Sequence, residues 1–418
     1  TPLRMFVAIR NTPRDYAWGS HTAIAEFRGV EPSGSPEAEL WLGAHAGSPA
    51  EVVEADDSGA TDLAELIAAN PALALGPEHA REGARLPFLL KVLAAARPLS
   101  LQAHPTPDQA RMGFGREEAE GVPIDAFDRN YKDPFAKPEL IVAVSEAFEA
   151  LSGFRPLDEV RGLLDALRAA DAASPEPQPG ALDLLSTRLD GPDGLRESVA
   201  WLLQDGRGGD TGEAAWLIER VTALAASDAA LDSPFATSFR TVLDLSEEYP
   251  GDPGIVISLL LNRVTLARGE ALFLDAGNIH AYLSGLGVEL MAASDNVLRG
   301  GLTPKHIDVP ELLEVLDFTA IEPPLLQPVE AAAGVLEYRP PVPDFTLFRV
   351  EGADDAARIA LSGPAIVLAE GGEVRVAGAH GSMSIDRGEA AFVSPDEASL
   401  AFGGEGIAWV ATVPPTHG

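Results

Sequence analysis

A mainly β protein of sandwich or jelly-roll type, interrupted by one block of helices, is the fold class this sequence predicts. Short apolar runs rich in β-branched and aromatic residues recur between Gly and Pro turns before residue 156 and again after residue 250. Between them, apolar residues recur at helical spacing. The 418 residues, 46% hydrophobic and 22% charged, supply material for several cores at about 100–200 residues per domain.

Taken in order, residues 1–155 read as strands and loops with occasional helices, Leu63 to Ala69 and Leu86 to Ala96 being the helical candidates, with Pro87 in the second suiting either a helical first turn or a strand edge. From Pro156 the texture changes. Leu157, Val160, Leu164 and Leu167 form an apolar stripe, as do Leu195 to Leu203, Glu213 to Ala226 and Phe235 to Leu245, with loops at Ser174 to Gly180 and Asp205 to Asp210. Residues 156–250 thus read as an inserted helical domain. After Pro250-Gly-Asp-Pro-Gly254 the strand texture resumes with a buried run, Ile255 to Val264, and a short strand, Ala271 to Leu274. Residues 251–320 are assigned to the same unit as 1–155. The tail, 321–418, carries evenly spaced strand candidates at Phe345 to Val350, Ala365 to Ala369, Ala390 to Val393 and Gly406 to Val413. A weak repeat links the two β regions: Gly269-Glu-Ala-Leu-Phe-Leu-Asp-Ala-Gly277 matches Gly388-Glu-Ala-Ala-Phe-Val-Ser-Pro-Asp396 at an offset of 119, so that Ser399 falls where the first copy has His280.

A formal net charge of −34 sets the chain against nucleic acid and anionic membranes as partners. Cysteine is absent, which removes disulfides, thiolate metal sites and cysteine nucleophiles together. Of 30 basic residues only Lys91, Lys132, Lys137 and Lys305 are lysine. Their scarcity fits arginine replacing lysine wherever the fold is indifferent, and it marks the four as positions where a compact ammonium is needed. No secretory or membrane-spanning run is visible, Met5 is the expected natural start, and a cytoplasmic protein is expected.

Candidate chemistry lies in three stretches. In Pro98-Leu-Ser-Leu-Gln-Ala-His-Pro105, strand alternation puts Leu99, Leu101 and Ala103 on one face and Ser100, Gln102 and His104 on the other. That pattern suits a strand lining a polar cavity and equally an ordinary exposed strand. Lys137 and Glu139, ahead of the apolar Leu140-Ile-Val-Ala-Val144, share strand parity, as do His280 and Tyr282. Two imidazoles, a carboxylate and an amide oxygen at Gln102, His104, Glu139 and His280 form a donor set that zinc accepts in a protein without thiolates. Further on, Ser294-Asp-Asn and Arg299-Gly-Gly present a carboxylate and a guanidinium on loops, either as chemical groups or as a mutual pair stapling the loop, and Thr303-Pro304 reads as a helix start.

These segments, together with Tyr16-Ala-Trp18-Gly19, Glu39-Leu-Trp-Leu-Gly-Ala-His45, Tyr131-Lys-Asp-Pro, Gly277-Asn-Ile-His-Ala-Tyr282, Met291-Ala-Ala-Ser-Asp-Asn-Val and Thr303-Pro-Lys305, resemble the type I mannose-6-phosphate isomerase family. The match runs in order through most of residues 13–310. The resemblance implies two cupin-type jelly rolls, the second without metal, and a helical insertion. It implies one zinc per chain on Gln102, His104, Glu139 and His280, and a catalytic Arg299. It departs at Ala136, where the family usually has His, so a proton-transfer role for that His does not carry over.

Interconversion of D-mannose 6-phosphate and D-fructose 6-phosphate requires ring opening, proton removal beside a carbonyl, a cis-enediolate and reprotonation at the neighbouring carbon. Zinc or Arg299 can hold the developing oxygen charge. Lys137, Asp295 and Tyr282 stand as unranked proton-transfer candidates, with Glu289 behind them. Trp18 and Glu289 are candidate substrate contacts, and Ser100, Lys91 and Lys305 candidate phosphate contacts, since no P-loop type motif is present. The expected partner is a small sugar phosphate, with the chain a monomer. Two other readings remain: an iron-dependent cupin oxygenase, against which Gln102 and the lysines argue, and a sugar-phosphate-binding cupin without turnover, which Ala136 keeps open.

Overall fold

The computed structural model describes residues 5–54, 58–208, 211–351 and 356–416. Within them the protein is mainly β, in three sheets, with twelve α-helices. No described helix is long and apolar enough to cross a membrane.

The strand His280–Ala292 is the spine of the nine-stranded sheet. Its first residues pair with Gln102–Ala103 and Ala147–Phe154, and its second half with Phe88–Ala95 and Glu139–Ala143. The change of partners comes at Gly285, whose φ of 124° suits glycine and where a Cβ would stand 2.9 Å from the Phe148 Cα. Bending there lets one strand serve two walls, and the functional residues collect between those walls. Phe88–Ala95 is a strand buried along its whole length. In sequence Leu86 to Ala96 suits a helix and a strand edge alike, because a strand covered on both faces has no polar alternation to betray it.

The chain leaves this sheet at Phe154 and returns at Leu261, and these two residues are paired neighbours. The excursion between them is a run of helices from Leu157–Ala172 to Gly254–Leu259. Leu163, Leu167, Val199, Leu217, Val221 and Phe239 are buried in its core, and that core extends onto Leu101, Ala103, Ile279 and Ala281 on the outer faces of the site strands. Pro179–Leu189 is a helix that the proline-rich approach conceals, with Pro179 in its first turn. Ile255 to Val264 is not one strand. Gly254–Leu259 is a short helix in the helical core, and the strand begins only at Leu261. Its β-branched residues favour a strand locally, and tertiary burial overrides them.

Most of the tail strands join an eight-stranded sheet that also takes Phe6–Arg10 and Glu51–Val52 from the N-terminal segment. A four-stranded sheet, Ala357–Ala360, Ser399–Gly403, Val374–Ala377 and Ser382–Ile385, faces it across a core of Ile359, Val367, Val376, Leu400, Phe402 and Val410. Thr303-Pro304 starts no helix. The helix there is Val309–Val315, capped by Asp308, whose side chain accepts the Glu311 N–H, with Pro310 in its first turn.

Candidate active site and metal centre

A cavity of about 620 Å³ opens between the two walls of the nine-stranded sheet and gathers Ser100, Gln102, Lys137, Glu139, Tyr282, Glu289, Asp295, Arg299 and Lys305. Lys91 and Trp18 line it as well. Glu139 lines it, and His104, Glu139 and His280 are all buried and offer ligand atoms within 4.8 Å of one another. Glu139 Oε2 lies 3.3 Å from His104 Nε2 and 3.1 Å from His280 Nε2. Neither Nε2 makes a properly directed hydrogen bond, although both are buried. Each ring donates its Nδ1–H to a backbone carbonyl, His104 to Asn296 at 2.8 Å and His280 to Asn278 at 2.9 Å. A carbonyl can only accept, so Nδ1 carries the proton and the Nε2 lone pairs point inward. Burial lowers the His104 pKa to about 4, which keeps its imidazole neutral. Burial alone would raise Glu139, but His104, His280 and Lys137 outweigh it and hold the carboxylate well below its usual range. Neutral imidazoles and an ionised carboxylate are what zinc requires, so these residues fit the metal. Gln102, paired with His280 in the sheet, presents its amide to the same cavity.

Along one wall the Lys91 ammonium sits 3.7 Å from Glu39 and 3.8 Å from Glu289, over the Trp41 ring. The two carboxylates more than offset its burial and raise its pKa. Trp41 Nε1–H donates to Glu39 at 2.8 Å, and Tyr282 O–H donates to Glu289 at 2.6 Å. Burial, reinforced by the Glu139 charge, pushes Glu289 up to about 7 and, with Glu289 opposite, lifts the Tyr282 phenol well above 10.

Asp295 is not paired with Arg299. It receives His45 Nε2 at 2.7 and 2.8 Å, which holds the carboxyl below its usual range, and Asp133 accepts its backbone N–H. Among the described residues Arg299 has no carboxylate within 4.0 Å, and neither does Lys305. Burial lowers the pKa of both, and for Lys305 the Arg299 charge adds to it. Two uncompensated cations beside the Ser100 hydroxyl form an anion-accepting end to the cavity. Three of the four lysines, Lys91, Lys137 and Lys305, line the same cavity, the first two beside carboxylates. Lys132 does not; its ammonium donates outward to the Ile124 carbonyl. Ala136 brings no titratable group.

Only part of the Pro98 to Pro105 segment is strand, Gln102–Ala103, yet the predicted alternation holds where it matters: Leu101 and Ala103 face the helices, Ser100 and Gln102 the cavity. Leu99, expected on the apolar side, also reaches the cavity. Glu39, Trp41 and His45 entered the sequence reading only as part of a resemblance motif, with no role assigned, and Tyr249 did not enter it at all. The alternating Glu39-Leu-Trp41 of a strand is the one local signal that could have found the first two.

The model of the family described as phosphomannose isomerase type I, catalytic domain, matches residues 6–157. The mannose-6-phosphate isomerase of Escherichia coli K12 is 39% identical over 401 residues, covering 95% of this chain and 96% of its own length. The chain belongs to the type I phosphomannose isomerase family. Another member, mannose-6-phosphate isomerase 1 of Arabidopsis thaliana, is 30% identical over 93% of this chain and 89% of its own. Among solved family structures, a mutant of phosphomannose isomerase from Salmonella typhimurium superposes with a TM-score of 0.86 at 34% identity, covering 98% of this chain and 99% of that one. A zinc-bound mannose 6-phosphate isomerase superposes with a TM-score of 0.85 at 35% identity and the same coverage.

Proposed function

We propose that this protein is a zinc-dependent aldose–ketose isomerase that interconverts D-mannose 6-phosphate and D-fructose 6-phosphate through a cis-enediolate. The observation that carries the reading is a buried His104–Glu139–His280 group, with both Nε2 atoms turned to Glu139, which meets the cavity through Glu139, together with a cationic end to that cavity at Arg299 and Lys305. Gln102, His104, Glu139 and His280 would hold one zinc per chain, which when bound supplies Lewis-acid polarisation of a substrate oxygen.

The remaining roles belong to side chains. Lys305 and Ser100 hold the phosphate. Arg299, lacking a carboxylate partner, takes the oxygen charge that develops as the enediolate forms. Lys137 and Asp295 move the proton between neighbouring carbons; His45, whose Nδ1 accepts the Gly47 N–H, donates its Nε2–H to Asp295 and orients that carboxylate. Tyr282, tied to Glu289 and hard to ionise, positions rather than transfers. Lys91, held by Glu39 and Glu289, donates to a substrate hydroxyl, and Trp18 backs the sugar.

The architecture we propose has residues 1–155 plus 251–320 as a catalytic cupin-type jelly roll, 156–250 as an inserted helical domain and 321–418 as a metal-free jelly roll completed by two N-terminal strands. The pairing of Phe154 with Leu261 supports the insertion. We take the working protein to be a cytoplasmic monomer.

A coupled assay of mannose 6-phosphate conversion, run with and without chelator, tests the function. Conversion that disappears with chelator and returns with zinc is expected. Chelator-insensitive conversion removes zinc from the mechanism, and tight sugar-phosphate binding without turnover replaces the enzyme with a binding protein.

A further inference from the structure

The 300–305 loop joins Arg299 to Lys305 and is gripped from both sides. On the inner side the Gly300 N–H donates to the Leu101 carbonyl at 2.8 Å and the Leu101 N–H to the Gly301 carbonyl at 3.1 Å, next to Ser100. On the outer side the grip comes from the helical run. Leu302, a buried residue in the left-handed region with φ 55°, donates its N–H at 2.9 Å to Asp252 Oδ1, which also accepts the Gly254 N–H at 2.7 Å. That conformation is uncommon for a non-glycine residue and persists where neighbouring contacts impose it. The loop and the Asp252 turn approach so closely that a Cβ on Gly301, φ 124°, would lie 3.0 Å from the Gly254 Cα. Arg207 spans two carbonyls of the same loop, Thr303 at 3.0 Å and Lys305 at 3.1 Å. Tyr249, at the start of the same turn, donates its O–H to the Pro98 carbonyl at 3.0 Å, two residues from Ser100.

We infer that Asp252 and Arg207 are positioning residues for the phosphate end of the cavity, holding the 300–305 loop so that the Lys305 ammonium meets the substrate phosphate. Neither side chain lines the cavity. Lys305 has no carboxylate within 4.0 Å among the described residues to orient it, so its backbone anchor sets where the ammonium stands. The helical run therefore contributes to substrate affinity without touching substrate. This rests on the reading of Lys305 as a phosphate contact.

Steady-state kinetics on the zinc-loaded enzyme test it. The KM for mannose 6-phosphate is expected to rise about tenfold in Asp252→Ala and about threefold in Arg207→Ala, with kcat within about twofold and zinc content unchanged, the pattern of lost ground-state binding. Asp252→Asn keeps the Oδ1 acceptor and restores a near-parental KM; Arg207→Lys restores part. A merely structural role would lower kcat and zinc content together and would show no such rescue, and that result overturns the inference. So does an unchanged KM in Arg207→Ala while Lys305→Ala raises it. Arg207 is exposed, so that variant decides the matter even if Asp252→Ala fails to fold. An unchanged KM in Lys305→Ala removes the phosphate reading, and the inference with it.

Discussion

The two β regions of the molecule contain a matched pair of strands that differ in what they enclose. Ala271–Leu274 and Ala390–Val393 are separated by the same 119 positions as the strands that follow them, which begin at His280 and Ser399. In the first region Leu274 pairs with Glu139; in the second, Val393 pairs with Ala365. Two of the four candidate ligand positions, His280 and Glu139, therefore have a counterpart without an imidazole or carboxylate, a serine for the histidine and an alanine for the glutamate. Where the first region keeps a polar cavity, the second is filled by Ile359, Val367, Leu400, Phe402 and Val410. The strand framework tolerates either content, and the choice is made by a few inward-facing residues.

Writing the second region's residue into the first is the most damaging test: Glu139→Ala is expected to reduce both zinc content and turnover to background, measured by metal analysis and the coupled assay. An active, zinc-loaded Glu139→Ala enzyme would break the comparison. Arg299→Ala is expected to lower kcat about 10²–10³-fold, the cost of losing one preorganised donor at a developing oxyanion, with zinc retained. The reverse exchange, Ala365→Glu, places an unpaired carboxylate in a packed core and should cost about 3–5 kcal/mol in denaturant unfolding without adding a second zinc per chain. A second equivalent of zinc would show the tail to be a dormant site. Ser399→Ala should change stability by less than about 0.5 kcal/mol and leave turnover alone, because the hydroxyl has no chemical task there.

How much of this was legible in sequence depended on locality. The helix Leu63–Ala69 could be read because its stripe and its Asp62 cap are adjacent in the chain. The grouping of His104, Glu139 and His280 was legible only through the family resemblance, because the spacing within each short motif offers donors without bringing the motifs together. Phe88–Ala95 could not be told from a helix and Gly254–Leu259 was misread because burial on every side erases the period that separates strand from helix. His45 meets Asp295 across 250 positions, and Arg207 meets Lys305 across 98; no spacing rule reaches that far. Of the two readings of Asp295 and Arg299, the mutual pair failed for the opposite reason: nearness in sequence suggested a contact that a more distant imidazole had taken.

The three convergent lysines have a consequence for encounter kinetics. A dianionic sugar phosphate approaching a protein of net charge −34 is repelled at long range and attracted only near the cavity mouth. Added salt screens the distant carboxylates first, and at about 0.1 M the Debye length of about 10 Å leaves only nearby cations in play. The association rate should therefore rise with ionic strength before it falls, inverting the usual behaviour of an electrostatically steered enzyme.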